Sequence, residues 1–273
     1  MKDVSFGQYY PANSFVHKMD PRVKILMTIA YIVAVFLVKS FHFLGFAACF
    51  LYIVVAVIFS KINFFKILKS VKVILFFVIL SAVLQIFFNG NGNVLLKVGS
   101  LKITDIGLIN AGFIVARIIL VVTGASLLTL TTSPIELADG IESLLTPLKL
   151  IRFPVHEFAL IMSIALRFIP DLLDETDRII KAQKARGADF ESGNLFKRAK
   201  ALIPVIVPLL ISSFRRAEDL SNAMDARCYA GSKTRTKYKK MKITFRDPIG
   251  VFIMAGLITG VVFLNKFYIL LIL

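Results

Sequence analysis

Residues suited to metal or redox chemistry are scarce in this chain, with two cysteines and three histidines among 273 positions. Cys49 falls within an uncharged apolar block and Cys228 in a basic stretch, so no disulfide framework is implied. His17, His42 and His156 are scattered, and no grouping of His, Cys and carboxylate has the spacing of a metal site. A phosphate loop is missing as well: Gly231-Ser232-Lys233-Thr234 lacks the upstream glycine spacing and a glycine directly before the lysine. These absences leave an enzyme reading without support. No cleavable signal peptide is visible, because the first 24 residues are polar and aromatic and the apolar run behind them has no small-residue cleavage site. Acids are few, 17 Asp and Glu against 33 Lys and Arg, for a net charge of +16.

What the chain has in abundance is apolar length. It is 57% hydrophobic with a mean hydropathy of +0.78, and the excess is concentrated in blocks. Residues 25–38, 40–60, 73–96 and 248–265 carry no Asp, Glu, Lys or Arg, and residues 106–135 carry only Arg117. A helix needs about 20 apolar residues to cross the hydrocarbon of a bilayer. Four blocks are long enough, and the first spans only if its flanks join in. The expected fold is therefore an all-α polytopic membrane protein with about five transmembrane helices. If the N-terminus is cytosolic and the spans alternate, 28 of the 33 basic residues fall on the cytosolic side. Lys39, Lys97, Lys102 and Lys266 fall on the other, and Arg117 lies inside a span. This is the positive-inside pattern. It accounts for the charge without nucleic acid and predicts a multi-pass membrane protein with a cytosolic N-terminus.

The chain divides by composition into a membrane region of four spans over 1–131, a mixed-charge region of long cytosolic, amphipathic helices over 132–247, and a last transmembrane helix over 248–273. Within the first, VLLKV and LKIT flank Gly99-Ser100, a two-residue turn signal that predicts a small external β-hairpin. Arg117 leaves two readings open. An intramembrane charge is functional by default, or it is structural, pairing with Asp105 about three turns away or snorkelling outward. In the second region, Ser133-Pro134-Ile135-Glu136 predicts a capping box with proline at the first helical position. Pro170 and Pro208 predict kinks or breaks in the helices that follow.

One segment occurs twice. Ala182, Ala185 and Arg186 recur forty-one residues later as Ala223, Ala226 and Arg227, and an acid precedes each arginine by nine residues, Asp177 and Glu218. On a helix these alanines and their arginine share a face. Two small side chains beside one long cation make a close-approach surface with a single charged peg, and the guanidinium fork suits a carboxylate or carbonyl cluster. A single copy is well explained as a helix end, with a basic last turn and Gly187 beyond it. Two copies in register point instead to two equivalent sockets, hence to a dimeric partner.

The stretches SFVHKMDPRVK, SPIELADGIESLLTPLK, ALRFIPDLLDETDRIIKAQKARGAD and AMDARCYAG, spread over most of the chain, resemble the transmembrane T component of energy-coupling-factor (ECF) transporters, a group of ABC-type importers. The paired Ala-Arg-Gly motifs are the most specific element. The first is intact as Ala185-Arg186-Gly187, whereas the second reads Ala226-Arg227-Cys228. If that last position needs left-handed geometry, Cys228 is strained, and the peg role stays with Arg227. The resemblance implies a coupling subunit that links two cytosolic ABC ATPases to a small substrate-binding membrane subunit, the S component, for uptake of a vitamin or metal ion. It implies that Arg186 and Arg227 dock in grooves, one per ATPase. It also implies that ATP and Mg are bound by those partners, with no cofactor in this chain. A membrane-protein insertase with an intramembrane groove at Arg117 is the alternative, but it gives the repeated Ala-x-x-Ala-Arg ends no task.

Overall fold

The computed structural model describes residues 9–39, 43–88, 93–98, 101–151, 154–190, 192, 194–229, 231 and 244–272. Within them the chain is almost wholly helical, as expected of an all-α membrane protein. The first helices in chain order are α1 (Pro21–Leu37), α2 (Phe43–Ser60), α3 (Phe64–Phe88) and α4 (Asp105–Thr131). Three of the expected spans are long and apolar enough to cross a membrane: α2, α4 and Arg246–Phe267 of α9 (Arg246–Ile272). The other two apolar blocks are helical as well. Helix α1 has 17 residues, about 26 Å at 1.5 Å per residue and so short of a ~30 Å hydrocarbon core without its flanks. In α3 the apolar part is Ile74–Phe87, behind a lysine-bearing start.

The expected hairpin is present between α3 and α4. Strands β1 (Val94–Val98) and β2 (Leu101–Thr104) pair antiparallel, with Val98 opposite Leu101 and a bulge between Val94 and Leu96. The Gly99-Ser100 turn itself lies outside the described residues. Thr104 ends the hairpin and starts α4 in one step, since its hydroxyl accepts from the Gly107 amide at 3.1 Å.

Two compact units make up the chain, Met1–Leu144 with Met241–Leu273, and Leu145–Lys240. The division falls later than the expected boundary at 131/132. The reason is α5 (Pro134–Leu145), which packs on α1: a Cβ on Gly140 would meet Ile25 at 3.1 Å and Pro21 at 3.2 Å. The expected capping box starts this helix, with Ser133 and Glu136 each donating a backbone N–H to the other's side chain at 3.3 Å. The C-terminal helix α9 belongs to the same unit and packs along α1 and α2.

The first unit is held by an apolar cluster and by polar ties at both ends of α1. Tyr31, Val35 and Val38 of α1 meet Phe46, Cys49 and Ile53 of α2, Leu120 of α4, and Met254 and Val261 of α9. Gly124 lets α4 approach, because a Cβ there would lie 2.7 Å from the Tyr31 ring. Helices α1 and α4 then cap each other with cations. Arg117 donates from α4 to the Val38 carbonyl at the C-cap of α1, at 2.5 Å, while Lys24 donates from α1 to the Thr131 carbonyl at the end of α4, at 3.1 Å. Lys24 lies fourteen residues before Val38, and Arg117 fourteen before Thr131. Both separations are about 21 Å, so two antiparallel helices in register satisfy both bonds together. The last carbonyls of a helix have no intrahelical donor, and an unsatisfied one in hydrocarbon costs several kcal/mol. Asn265 of α9 supplies the neighbouring donor, to Leu37 at 2.7 Å.

At the other end of α1, Asp20 caps the helix by accepting from the Arg22 amide at 2.9 Å. The buried Asp247 carboxylate at the start of α9 accepts from the Asp20 amide at 2.9 Å and from the Thr244 amide at 2.6 Å. His17 completes this knot, with Nε2 at 2.9 Å from the Tyr10 carbonyl and Nδ1 at 2.7 Å from the Ser14 hydroxyl. A donor on Nε2 and an acceptor at Nδ1 describe the neutral ring. Burial favours the same form, lowering the His17 pKa below its ordinary 6.5 against the opposing pull of the Tyr10 carbonyl.

Candidate functional site: two arginine-capped helix ends

Both repeated segments terminate long helices of the second unit. Helix α6 (Val155–Ala185) runs through Pro170, and α8 (Ile203–Ala226) follows the short α7 (Leu195–Ala201) and runs through Pro208. A kink or a break is expected at each of these prolines, and neither helix breaks. Each proline removes one donor and costs about 3 kcal/mol in a helix interior, yet both helices continue for more than a dozen residues beyond. Each helix is apolar in its first half and charged in its second. The apolar halves leave large side chains exposed, among them Phe158 and Ile161 on α6 and Ile206, Leu210 and Phe214 on α8.

The two ends have the same backbone geometry. Arg186 caps α6 at φ −85°, ψ 7°, and Arg227 caps α8 at φ −94°, ψ 12°. After α6, the Gly187 amide donates to Lys184 at 3.0 Å and the Ala188 amide to Gln183 at 2.9 Å. After α8, the Cys228 amide donates to Asp225 at 2.9 Å and the Tyr229 amide to Met224 at 3.1 Å. These paired bonds form the Schellman end, which requires a left-handed residue just past the cap. Gly187 supplies it at φ +86° and Cys228 at φ +55°. Nothing crowds Gly187, since a Cβ there would meet no atom within 4 Å. The demand at this position is thus conformational alone, and it explains why glycine suits it and cysteine is strained.

A left-handed L-residue costs roughly 1–2 kcal/mol, while glycine in the unfolded chain gives back about 0.4–1 kcal/mol of that advantage in entropy. Cys228→Gly is therefore expected to tighten the end of α8 by no more than about 1.6 kcal/mol. Slower amide exchange at Tyr229 is the expected readout. Faster exchange would contradict the strain.

Ala182, Ala185 and Arg186 are all exposed at the end of α6, as are Ala223, Ala226 and Arg227 at the end of α8. Neither guanidinium has a side-chain partner among the described residues. The ends are presented by two helices that pack on each other within one unit. They are tied by an ion pair that the sequence reading did not anticipate. Arg216 of α8 places Nη2 3.3 Å from Glu175 and Nη1 3.7 Å from Asp171 of α6. Arg117 belongs to the other unit, and its partner is the Val38 carbonyl rather than Asp105. Asp105 instead accepts from the amides of Asn93 and Ile106. Among the described residues no group of three or more His, Cys, Asp or Glu is placed to hold a metal ion.

The family model described as cobalt transport protein, CbiQ, matches residues 12–238. The chain is 52% identical over 248 residues to an energy-coupling factor transporter transmembrane protein of Clostridium kluyveri, covering 90% of this chain and 91% of the relative. It is 45% identical over 267 residues to the protein of that name from Thermosediminibacter oceani, covering 98% and 99% of the two chains. A Listeria innocua protein of the same name is 45% identical over 261 residues, covering 94% and 98%. A family model matching most of the chain, and near full-length identity of this order, establish that the chain belongs to the CbiQ family of cobalt transport proteins, among the energy-coupling factor transporter transmembrane (EcfT) proteins.

Proposed function

We propose that this chain is the coupling subunit of an ABC-type importer, joining two ABC ATPase subunits to a substrate-binding membrane subunit. One observation carries the reading: two exposed arginines, without side-chain partners among the described residues, end two packed helices with the same backbone geometry. Two like pegs suit two like sockets, so Arg186 and Arg227 each enter a groove on one ATPase. A fork of five donors meets a carboxylate or carbonyl cluster there. Exposed apolar side chains on the first halves of α6 and α8 are the surface for the substrate-binding subunit. ATP and Mg are bound by the ATPases, and this chain contributes no catalytic group. The cargo is a vitamin or a metal ion, selected by the substrate-binding subunit.

The basic asymmetry supports a cytosolic N-terminus and, with five spans, an external C-terminus. A C-terminal tag reached from outside intact cells is the expected outcome, and a cytosolic tag would overturn this topology. An insertase reading has no support from Arg117, whose guanidinium is engaged by Val38 and lies 5.5 Å from the Phe46 ring. Affinity capture of the tagged chain from membranes tests the function. Recovery of two ATPase subunits is expected, and recovery of ribosomes or nascent chains in their place would sink the proposal.

A further inference from the structure

The shift of forty-one residues that carries Arg186 onto Arg227 also carries Glu175 onto Arg216. Those two side chains are the ones bonded across the helix pair, at 3.3 Å. The ion pair thus joins equivalent positions of the repeat, and each lies eleven residues before its own peg. At 1.5 Å per residue both arms are about 16 Å long. Neither arm contains glycine or proline: residues 176–185 read TDRIIKAQKA and residues 217–226 read AEDLSNAMDA. Arms without helix breakers are stiff. A stiff pair of equal arms fastened at one point converts a change at the fastening into equal displacements at both pegs.

We infer that Arg216, with Asp171 and Glu175, is the pivot that sets the separation of Arg186 and Arg227. Arg216 is a positioning residue, and the inference rests on the docking role given to those two arginines. Asp171 and Glu175 are four residues apart and so lie on one face, one turn from each other. Arg216 reaches them with different nitrogens, Nη1 to Asp171 at 3.7 Å and Nη2 to Glu175 at 3.3 Å. A planar fork between acceptors on successive turns keeps one carboxylate while the helices turn against each other, which a single ammonium does less well. The exposure of the group fits this use. Arg216, Asp171 and Glu175 side chains are 32%, 55% and 29% exposed. Exposed ion pairs of this kind bias an equilibrium by no more than about fivefold. That is too weak to lock the helices and sufficient to choose one crossing over its neighbours.

The test places spin labels at Lys184 and Asp225, which are equivalent under the same shift and sit beside the pegs. The full chain in lipid nanodiscs is measured first, without partners. Wild type is expected to give a narrow distance distribution and Arg216→Ala a broad one. The reversal Glu175→Arg with Arg216→Glu is expected to narrow it again, which a generally weakened fold does not do. The reconstituted importer is measured next. Arg216→Ala is expected to keep both ATPases bound yet lower uptake per ATP hydrolysed by about fivefold, with recovery in the reversal. An unchanged distribution in Arg216→Ala, or a reversal that stays broad, overturns the pivot. Failure of the wild-type chain to hold ATPases counts against the docking role, and the nanodisc distances still decide the pivot.

Discussion

A chain carrying Arg186→Ala together with Arg227→Ala is expected to lose ATP-driven uptake completely, while the substrate-binding subunit still binds its ligand. Both guanidiniums are exposed in the chain alone and have no side-chain partner among the described residues, so truncating them breaks no such contact within the fold. The loss falls on the docked state. When one partner of a buried ion pair is deleted, the other is left desolvated and unpaired, at a cost of about 3–5 kcal/mol. At each socket that corresponds to about two to four orders of magnitude in affinity. Two failed sockets release or misplace both ATPases. Single variants retain one socket and are expected to be weaker but active. Arg186→Lys separates docking from simple capping: a lysine serves a helix C-terminus as well as arginine does but cannot present the fork. It should impair uptake if the fork is used. Full uptake by the double variant would be decisive against the role assigned to these ends.

The second large effect is expected at Arg117. Its bond to the Val38 carbonyl satisfies the end of α1, and its guanidinium lies over the Phe46 ring. A hydrogen bond to a charged group contributes about 1.5–3 kcal/mol. Arg117→Leu loses that bond and strands the carbonyl, but it also relieves the buried, unpartnered Nε of Arg117. The first term is the larger, leaving a net loss of about 2 kcal/mol. For a protein of this size that lowers the melting temperature by roughly 5 °C. Asn265→Leu removes the adjoining donor to Leu37 and is expected to add to the loss. Thermal unfolding in detergent reads both. If Arg117→Leu melts normally yet abolishes uptake, the residue acts in transport and the capping account is wrong.

Features whose partners lie within a turn or two were legible from the amino-acid sequence. The apolar blocks became helices, because burying a backbone in hydrocarbon demands internal hydrogen bonds whatever the packing. Ser133 and Glu136 formed their reciprocal cap, and the chain on either side of residues 99–100 paired as a hairpin. The two arginine ends were also visible, since three positions on one helical face and the residue after them are set by helix geometry alone. Even the strain at Cys228 follows from a local rule about left-handed backbone. At Pro170 and Pro208 the local rule favours a kink or a break, and both helices run on without a break.

Tertiary structure decided the rest. The donor that satisfies Val38 comes from 79 residues away, and the carbonyl that holds Lys24 from 107 residues away. Either cation has several candidate partners by composition, and only the antiparallel register of α1 and α4 selects these. Helix α5 joins the first unit because Gly140 lets it approach Pro21 and Ile25, a fit invisible in its own amphipathic pattern. The bond between Arg216 and Glu175 lies at the repeat period, yet the repeat alone does not say where its two helices meet. A charge acts over a few ångströms, and which charges come that close is settled by how helices pack, not by how far apart they stand in the chain.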